Sequence, residues 1–227
     1  MKIVNSSFVI LTPVIVWPKN IPDPNNAGLK GAFEREAKLI EMAGRTAYKS
    51  EDKITESSYD SFIRKIIKNG HEAVIEFGSM MVKFITDRGV SHEIVRHRLC
   101  SFLQESTRYC NYANEKFNHE ITVIEPAGYE QWGDTEKAQW WESIVFSEAK
   151  YNILIGEGLT PQQARAVLPN SLKTEICVRT NFREWRHIFK LRAISKAAHP
   201  DMRALMIPLY NQCKDLLPCV FDMGEVE

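Results

Sequence analysis

Apolar positions recur at helical spacing across residues 31–48, GAFEREAKLIEMAGRTAY, with Glu34 and Glu36 near the start. That spacing predicts a helix with acids at its positive end. Ser57 or Ser58 opens a second helix, stopped at Asn69-Gly70. Residues 78–87 read as a strand, and Asp87-Arg88-Gly89 as a turn. Ser91 with Ile94 and Val95 then opens a short helix leading into Arg96. Residues 119–125 read as another strand. Residues 135–157 read as a long helix, with Trp140, Trp141, Ile144, Val145 and Ala149 on its buried side. Thr160-Pro161 is an N-cap with proline at the first helical position, and the helix runs to about Val167 before Pro169. Residues 171–180 alternate, with Leu172, Thr174, Ile176 and Val178 on one face, which is a strand pattern. Asn181 to Glu184 has the form of a capping box and opens a helix to about Leu191. A last helix runs from about Pro200 to Leu217. The first 28 residues read as extended and turn-rich, punctuated by Pro13, Pro18, Pro22 and Pro24.

Strands and helices are interspersed, without an internal repeat or a linker. The pattern predicts an α+β (mixed α/β) class: one domain over 1–227, with a central sheet flanked by helices. With 44% apolar and 26% charged residues, a 227-residue chain can bury a sizeable core, which excludes a disordered or fibrous protein. No run of 18 apolar residues occurs, and the stretch Phe8 to Trp17 is short and broken by Pro13, so neither a membrane span nor a signal peptide is expected. The five cysteines form no CxxC pair and no Cys/His ladder. That predicts a reduced, cytoplasmic protein without a structural zinc.

Positive and negative side chains balance at 29 each, but they are not spread evenly. Nine of the 13 arginines fall in residues 96–108 and 165–203. With three lysines against four acids, these windows carry a net +8, and the remainder carries −8. Arginine offers a planar fork of donors suited to phosphate and carbonyl edges, so the windows could form one polyanion pocket. The alternative is two solvated basic faces. A third reading is an arginine-rich module for single-stranded nucleic acid, against which stand overall neutrality and the lack of interleaved aromatics.

Arg96-His97-Arg98, seven further residues, and then Ser106-Thr107-Arg108-Tyr109 together form one pattern. Arg96 and Arg98 diverge by about 200° in a helix, so one small anion cannot take both there unless the chain turns between them. This segment resembles the signature of the flavin-dependent thymidylate synthases. A second stretch is similar to the same family: Ala164-Arg165, Leu168-Pro169, Thr174, Asn181-x-Arg183, His187 and Leu191-Arg192. His71-Glu72-Ala73 is similar to its His-Glu-Ser segment. The resemblance spans about residues 35–205. It departs at Leu103-Gln104, where the family often has Asn-Glu, at Ala73, and at Ala198-His199-Pro200-Asp201-Met202-Arg203.

The resemblance implies reductive methylation of dUMP to dTMP. FAD would be the cofactor, methylenetetrahydrofolate the carbon donor, and NADPH the reductant; no metal is implied. It places His71, Ala73 (through its backbone), Arg96, His97, Arg98, Gln104, Asn181, Arg183 and His187 at FAD. It places Glu93, Arg96, Gln104, Glu105, Ser106, Thr107, Arg108, Arg165 and Arg192 at dUMP. Arg192 would be catalytic, stabilising charge that develops on the N3/O4 side of the uracil. A homotetramer with shared sites is expected, with small-molecule substrates and neither nucleic acid nor membrane as partner. A relative that binds nucleotide without catalysis remains a second reading. Taken without the family, Asn181 is a helix N-cap, which does not conflict with a ligand role. His71, His97 and His187 are then core or surface histidines, and His199-Pro200 is a helix start. Tyr109 is then core packing, Trp140 and Trp141 are core or interface, and Cys100, Cys110 and Cys177 are ordinary buried thiols.

Overall fold

A computed structural model describes residues 1–12 and 27–226 of the chain. The proline punctuation expected at Pro13, Pro18, Pro22 and Pro24 lies outside the described residues. In order, the elements are β1 (Lys2–Val4), β2 (Ser7–Thr12), α1 (Ala27–Tyr48), α2 (Ser58–Lys68), β3 (Ser79–Asp87), α3 (Arg88–Ile94) and β4 (Ser101–Gln104). They continue with β5 (Thr122–Ile124), α4 (Asp134–Gly156), α5 (Pro161–Ala164), β6 (Lys173–Asn181), α6 (Phe182–Phe189), α7 (Pro200–Leu216) and α8 (Pro218–Phe221). The class is α+β, as the pattern predicts. Strands β2, β3, β6 and β4 form a sheet in that order, and β1 pairs in parallel with β5. The chain divides into two compact units. One is Met1–Ser7, Phe84–Arg96 and Phe102–Ile176; the other is Phe8–Lys83, His97–Ser101 and Cys177–Glu227. No helix among the described residues is long and apolar enough to cross a membrane.

The first unit is built around β5 and α4. Lys2 to Val4 stand opposite Thr122 to Ile124, and Val123 bridges to Leu172. Ile144 and Tyr151 of α4 pack with Tyr112, Ile121, Val123, Ala164 and Leu172 into one core. The amino terminus closes on Glu120 and Glu148, at 2.8 and 3.1 Å. The long helix occupies the expected span but not the expected orientation. Ile144 is buried and Trp140 half-buried against Tyr129, whereas Trp141, Val145 and Ala149 are exposed. Apolar residues run nearly all round α4, so periodicity alone could not choose the side that packs. Asp87-Arg88-Gly89 is a helix start, not a free turn: Asp87 Oδ1 accepts from the Val90 amide at 2.7 Å, capping α3. The strand expected over 119–125 shrinks to three residues, because Asn118 and His119 take left-handed backbone angles.

The second unit packs α1, α6, α7 and α8 on an aromatic core. Phe33 stacks on Phe182 at 5.7 Å between ring centroids, and Phe182 meets Phe221 edge-on at 5.1 Å. Trp185 and Tyr210 flank Phe189 at 5.6 and 5.5 Å. The indole of Trp185 donates to the Met80 carbonyl at 3.1 Å, so the buried ring keeps its polar atom satisfied. Gly78 allows this packing: a Cβ there would lie 2.5 Å from the Phe182 ring. Glu41, almost fully buried on α1, is balanced by Arg45 at 2.7 Å and accepts from Ser58 Oγ at 2.9 Å, which ties α1 to the start of α2. His199 caps α7 by accepting from the Asp201 amide at 3.3 Å, which agrees with its reading as a helix start.

Candidate functional site

Each unit receives a piece of both arginine windows, and in each unit the two pieces touch. In the second unit, residues 97–101 meet α6 and the turn that follows it. Asn181 caps α6, its side-chain oxygen accepting from the Glu184 amide at 2.9 Å. The α-helix ends at Phe189, two residues before the expected limit, and Lys190–Ile194 continue as a single π turn. A π turn inside a helical run re-aims its side chains and often marks a functional position. Here it carries Arg192, whose Nε donates to His97 Nε2 at 3.2 Å. His97 is 6% exposed, and its Nδ1 stands 3.7 Å from a Glu184 carboxylate oxygen. Its ring meets that of His187 edge-on at 6.0 Å. Burial, with Arg192 and His187 nearby, pushes the His97 pKa down to about 4. The ring is therefore neutral at pH 7. Because Nε2 accepts from arginine, its proton sits on Nδ1, toward Glu184. Burial also raises the Glu184 carboxyl.

Alongside lies an open groove of about 710 Å³, lined by Leu99, Asn181, Arg183, Arg186, His187 and Lys190 together with Glu72, Glu76 and Glu184. Arg183 pairs with Glu76 at 2.6 Å, and Arg186 with Glu72 at 3.3 Å. Two arginines of the second window are thus held by Glu72 of the His71-Glu72-Ala73 segment and by Glu76 just beyond it. His71 and Ala73 are exposed on that segment, and Arg98 is exposed beside His97. Thr180 Oγ1 donates to the Leu99 carbonyl at 2.7 Å, fixing the turn between Arg98 and β4. Ligand atoms of His97, Glu184 and His187 lie within 4.8 Å of one another, a spacing a metal ion could use. The Arg192 guanidinium bound to His97 opposes a cation there. The side chains suit an anionic, hydrogen-bonding cofactor better.

In the first unit, Gln104 to Arg108 meet β6 and Arg165. Gln104 Nε2 donates to Ser91 Oγ at 2.8 Å and to Thr174 Oγ1 at 3.1 Å. Glu105 is clamped: Lys173 Nζ lies 3.0 Å from one carboxylate oxygen, and the Tyr112 hydroxyl donates to the other at 3.2 Å. Lys173 also reaches Glu175 at 2.8 Å. Burial works against charge on Lys173, but the hydrogen bonds it donates to Glu175 and Glu105 outweigh it and raise its pKa. Burial first, and Glu105 second, push the Tyr112 phenol far up, so it stays a donor. Arg165 donates to the buried Thr107 Oγ1 at 3.1 Å. Arg108 approaches Gln162 at 3.4 Å and lies over the Tyr109 ring. The core-packing reading of Tyr109 fails: the side chain is 81% exposed, because the chain turns at Ser106, whose carbonyl accepts from the Tyr109 and Cys110 amides. Arg96 is exposed, and Glu93, one turn earlier, accepts from its amide at 3.2 Å.

Glu184, Lys173 and Tyr112 are the residues that sequence reasoning passed over. The only signal for Glu184 was its place in the capping pattern, which pointed to its backbone. Lys173 and Tyr112 are 68 and 7 residues from Glu105, the group they hold. Cys100, Cys110 and Cys177 are free and half-buried, and burial pushes Cys100 up to about 11, which makes it a poor nucleophile.

Residues 30–219 match the profile of the family described as thymidylate synthase complementing protein. A flavin-dependent thymidylate synthase of Mycolicibacterium vanbaalenii is 34% identical over 208 residues, covering 84% of this chain and 80% of that protein. One of Geobacter sulfurreducens is 32% identical over 192 residues, covering 80% and 79%. Among solved structures, the UMP/dUMP methylase PolB of Streptomyces cacaoi, bound with 5-Br dUMP, shares the fold. Its TM-score is 0.70 at 18% identity, over 98% of this chain and 96% of that one. With the profile covering most of the chain, and with curated relatives matched over four-fifths of it, this protein belongs to the flavin-dependent thymidylate synthase family.

Proposed function

We propose that this protein converts dUMP to dTMP by FAD-dependent reductive methylation, with methylenetetrahydrofolate giving the carbon and NADPH the electrons. The observation that carries the reading is the Arg192–His97 contact, in which a neutral imidazole anchors a guanidinium through Nε. Anchored there, the fork turns its terminal nitrogens to a planar carbonyl edge, which a lysine could not match. Family membership supplies the reaction class.

The donor set of the second unit fits a flavin dinucleotide. His97, Asn181, Arg183 and His187, with Arg98, would hold it, and His71 and the Ala73 backbone would lie at its margin. When bound, the flavin supplies the redox chemistry, passing two electrons from NADPH so that a methylene carbon ends as a methyl group. Arg183 would have to exchange Glu76 for the pyrophosphate; the pair is about half exposed, so little free energy opposes the exchange. Ser106, Thr107, Arg108 and Arg165 would take the nucleotide phosphate, with Arg96 and Glu93 adjoining. Gln104 and Glu105, whose side chains are held by Ser91, Thr174, Lys173 and Tyr112, would fix the shape of that loop. Arg192 would face the uracil and stabilise charge on its N3/O4 side as the new bond forms at C5. The reading includes a homotetramer with shared sites, since FAD, nucleotide and folate together are large for 227 residues. Calorimetric titration tests the nucleotide assignment. Arg165→Ala should weaken dUMP binding about tenfold or more while the protein stays yellow. A bleached protein with unchanged dUMP affinity would overturn it.

A further inference from the structure

The turn that carries Ser106, Thr107 and Arg108 closes on itself through side chains. Glu105 and Tyr112 mark its two ends, and the Tyr112 hydroxyl donates to the Glu105 carboxylate at 3.2 Å. Between them the Ser106 carbonyl accepts from the Tyr109 and Cys110 amides at 3.1 and 2.9 Å, and Ser106 Oγ accepts from the Arg108 amide at 3.3 Å. The far end is anchored to α4: the Tyr112 amide donates at 3.3 Å to the hydroxyl of Tyr151, whose side chain is fully buried. The near end is anchored to β6: the Glu105 amide donates to the Glu175 carbonyl at 2.8 Å, one residue past the end of β4.

Lys173 locks this arrangement. Its ammonium sits between two carboxylates, 3.0 Å from Glu105 and 2.8 Å from Glu175. The side chains of Lys173 and Glu105 are 21 and 14% exposed, so the pair is largely out of water. Removing one partner of such a pair costs far more than the intact pair contributes, because the other charge is left in a poor solvent. Without the ammonium, Glu105 gains by swinging out to water, and the Tyr112 hydroxyl loses its acceptor. The Glu105 carboxylate, one residue before Ser106, would then also meet an incoming phosphate with its full negative charge. Lys173 thus acts on one turn in two ways, through its shape and through its charge.

We propose that Lys173 is a positioning residue for the nucleotide: by pinning Glu105 against Tyr112 it holds residues 106–108 in the shape that receives a phosphate monoester, and it screens that anion from the Glu105 carboxylate. The inference deepens the dUMP reading and rests on it for the ligand. Hydrogen exchange and steady-state kinetics on the purified full chain test it. Lys173→Met should speed exchange of the Tyr109 and Cys110 amides about tenfold or more and leave the amides of α6 unchanged. It should raise KM for dUMP about tenfold while kcat stays within about twofold, whereas Arg192→Ala acts on kcat. A merely structural loss would shrink the active fraction, lowering kcat and leaving KM where it was. Tyr112→Phe, which deletes a single hydroxyl, should move both readouts in the same direction by a smaller factor. Unchanged amide exchange in both variants would overturn the clamp. An unchanged KM in Lys173→Met, with the wild type turning over dUMP, would overturn its role toward the phosphate. A wild type that turns over no dUMP would instead count against the proposed reaction, and the exchange rates would then decide the clamp by themselves.

Discussion

Arg192 and His97 are useful to each other only while the imidazole is neutral. Burial first, and then the Arg192 guanidinium 3.2 Å away and His187, oppose protonation, which is why the His97 pKa falls to about 4. An ordinary histidine in the unfolded chain takes its proton near pH 6.5. Between about pH 6.5 and 4 the unfolded state therefore binds a proton that the folded state does not, and stability falls as pH falls through that window. Urea midpoints at pH 7 and pH 5 should show a larger loss for wild type than for His97→Asn; equal losses would remove His97 as the sensor. Arg192→Ala should leave secondary structure and flavin content intact while cutting dTMP formation by two to three orders of magnitude, about 3–4 kcal/mol of transition-state stabilisation. Near-wild-type turnover would remove Arg192 from the mechanism. Arg192→Lys should recover little of the loss, since the anchor to His97 uses Nε of a planar fork.

At the level of elements, the most constrained join is where β3 begins and α6 starts. The Phe182 amide donates to the Gly78 carbonyl at 2.9 Å, and the Phe182 ring sits where a Cβ of residue 78 would be. Gly78→Ala should lower stability by about 1–3 kcal/mol through overpacking, measured by thermal or urea unfolding. An unchanged midpoint would mean that the ring can move. Strand β6 was legible because one face is buried and one is not. Thr174, Ile176 and Val178 are buried in alternation, as the pattern required. Helix α4 was legible in extent and not in orientation, because apolar residues occupy its exposed face as well as its packed one. The site was legible as far as local motifs reach. Asn181 before Glu184 announced a cap, and Arg-His-Arg with Ser106 announced a family. The clamp on Glu105 by Lys173 and Tyr112 was hidden, since it depends on which strands are neighbours. So was the π turn under Arg192, for which no residue pattern was available.

For the molecule as a whole, electrical neutrality conceals a +8 charge concentrated in two stretches. Folding does not leave that charge bare. From outside the two stretches, Glu72 and Glu76 sit on Arg183 and Arg186; within them, Glu105 and Glu175, already counted in the +8, sit on Lys173. These ion pairs are mostly part-exposed and contribute little stability, so anions can displace the acids at small cost. The resulting surface suits small polyanions that arrive with their own charge. The most direct measurement is anaerobic turnover of dUMP with methylenetetrahydrofolate and NADPH by the purified full-length protein, following dTMP by chromatography. The account predicts a yellow protein that forms dTMP only when all three substrates are present. A colourless protein, or a yellow one that forms no dTMP with all three, would contradict it.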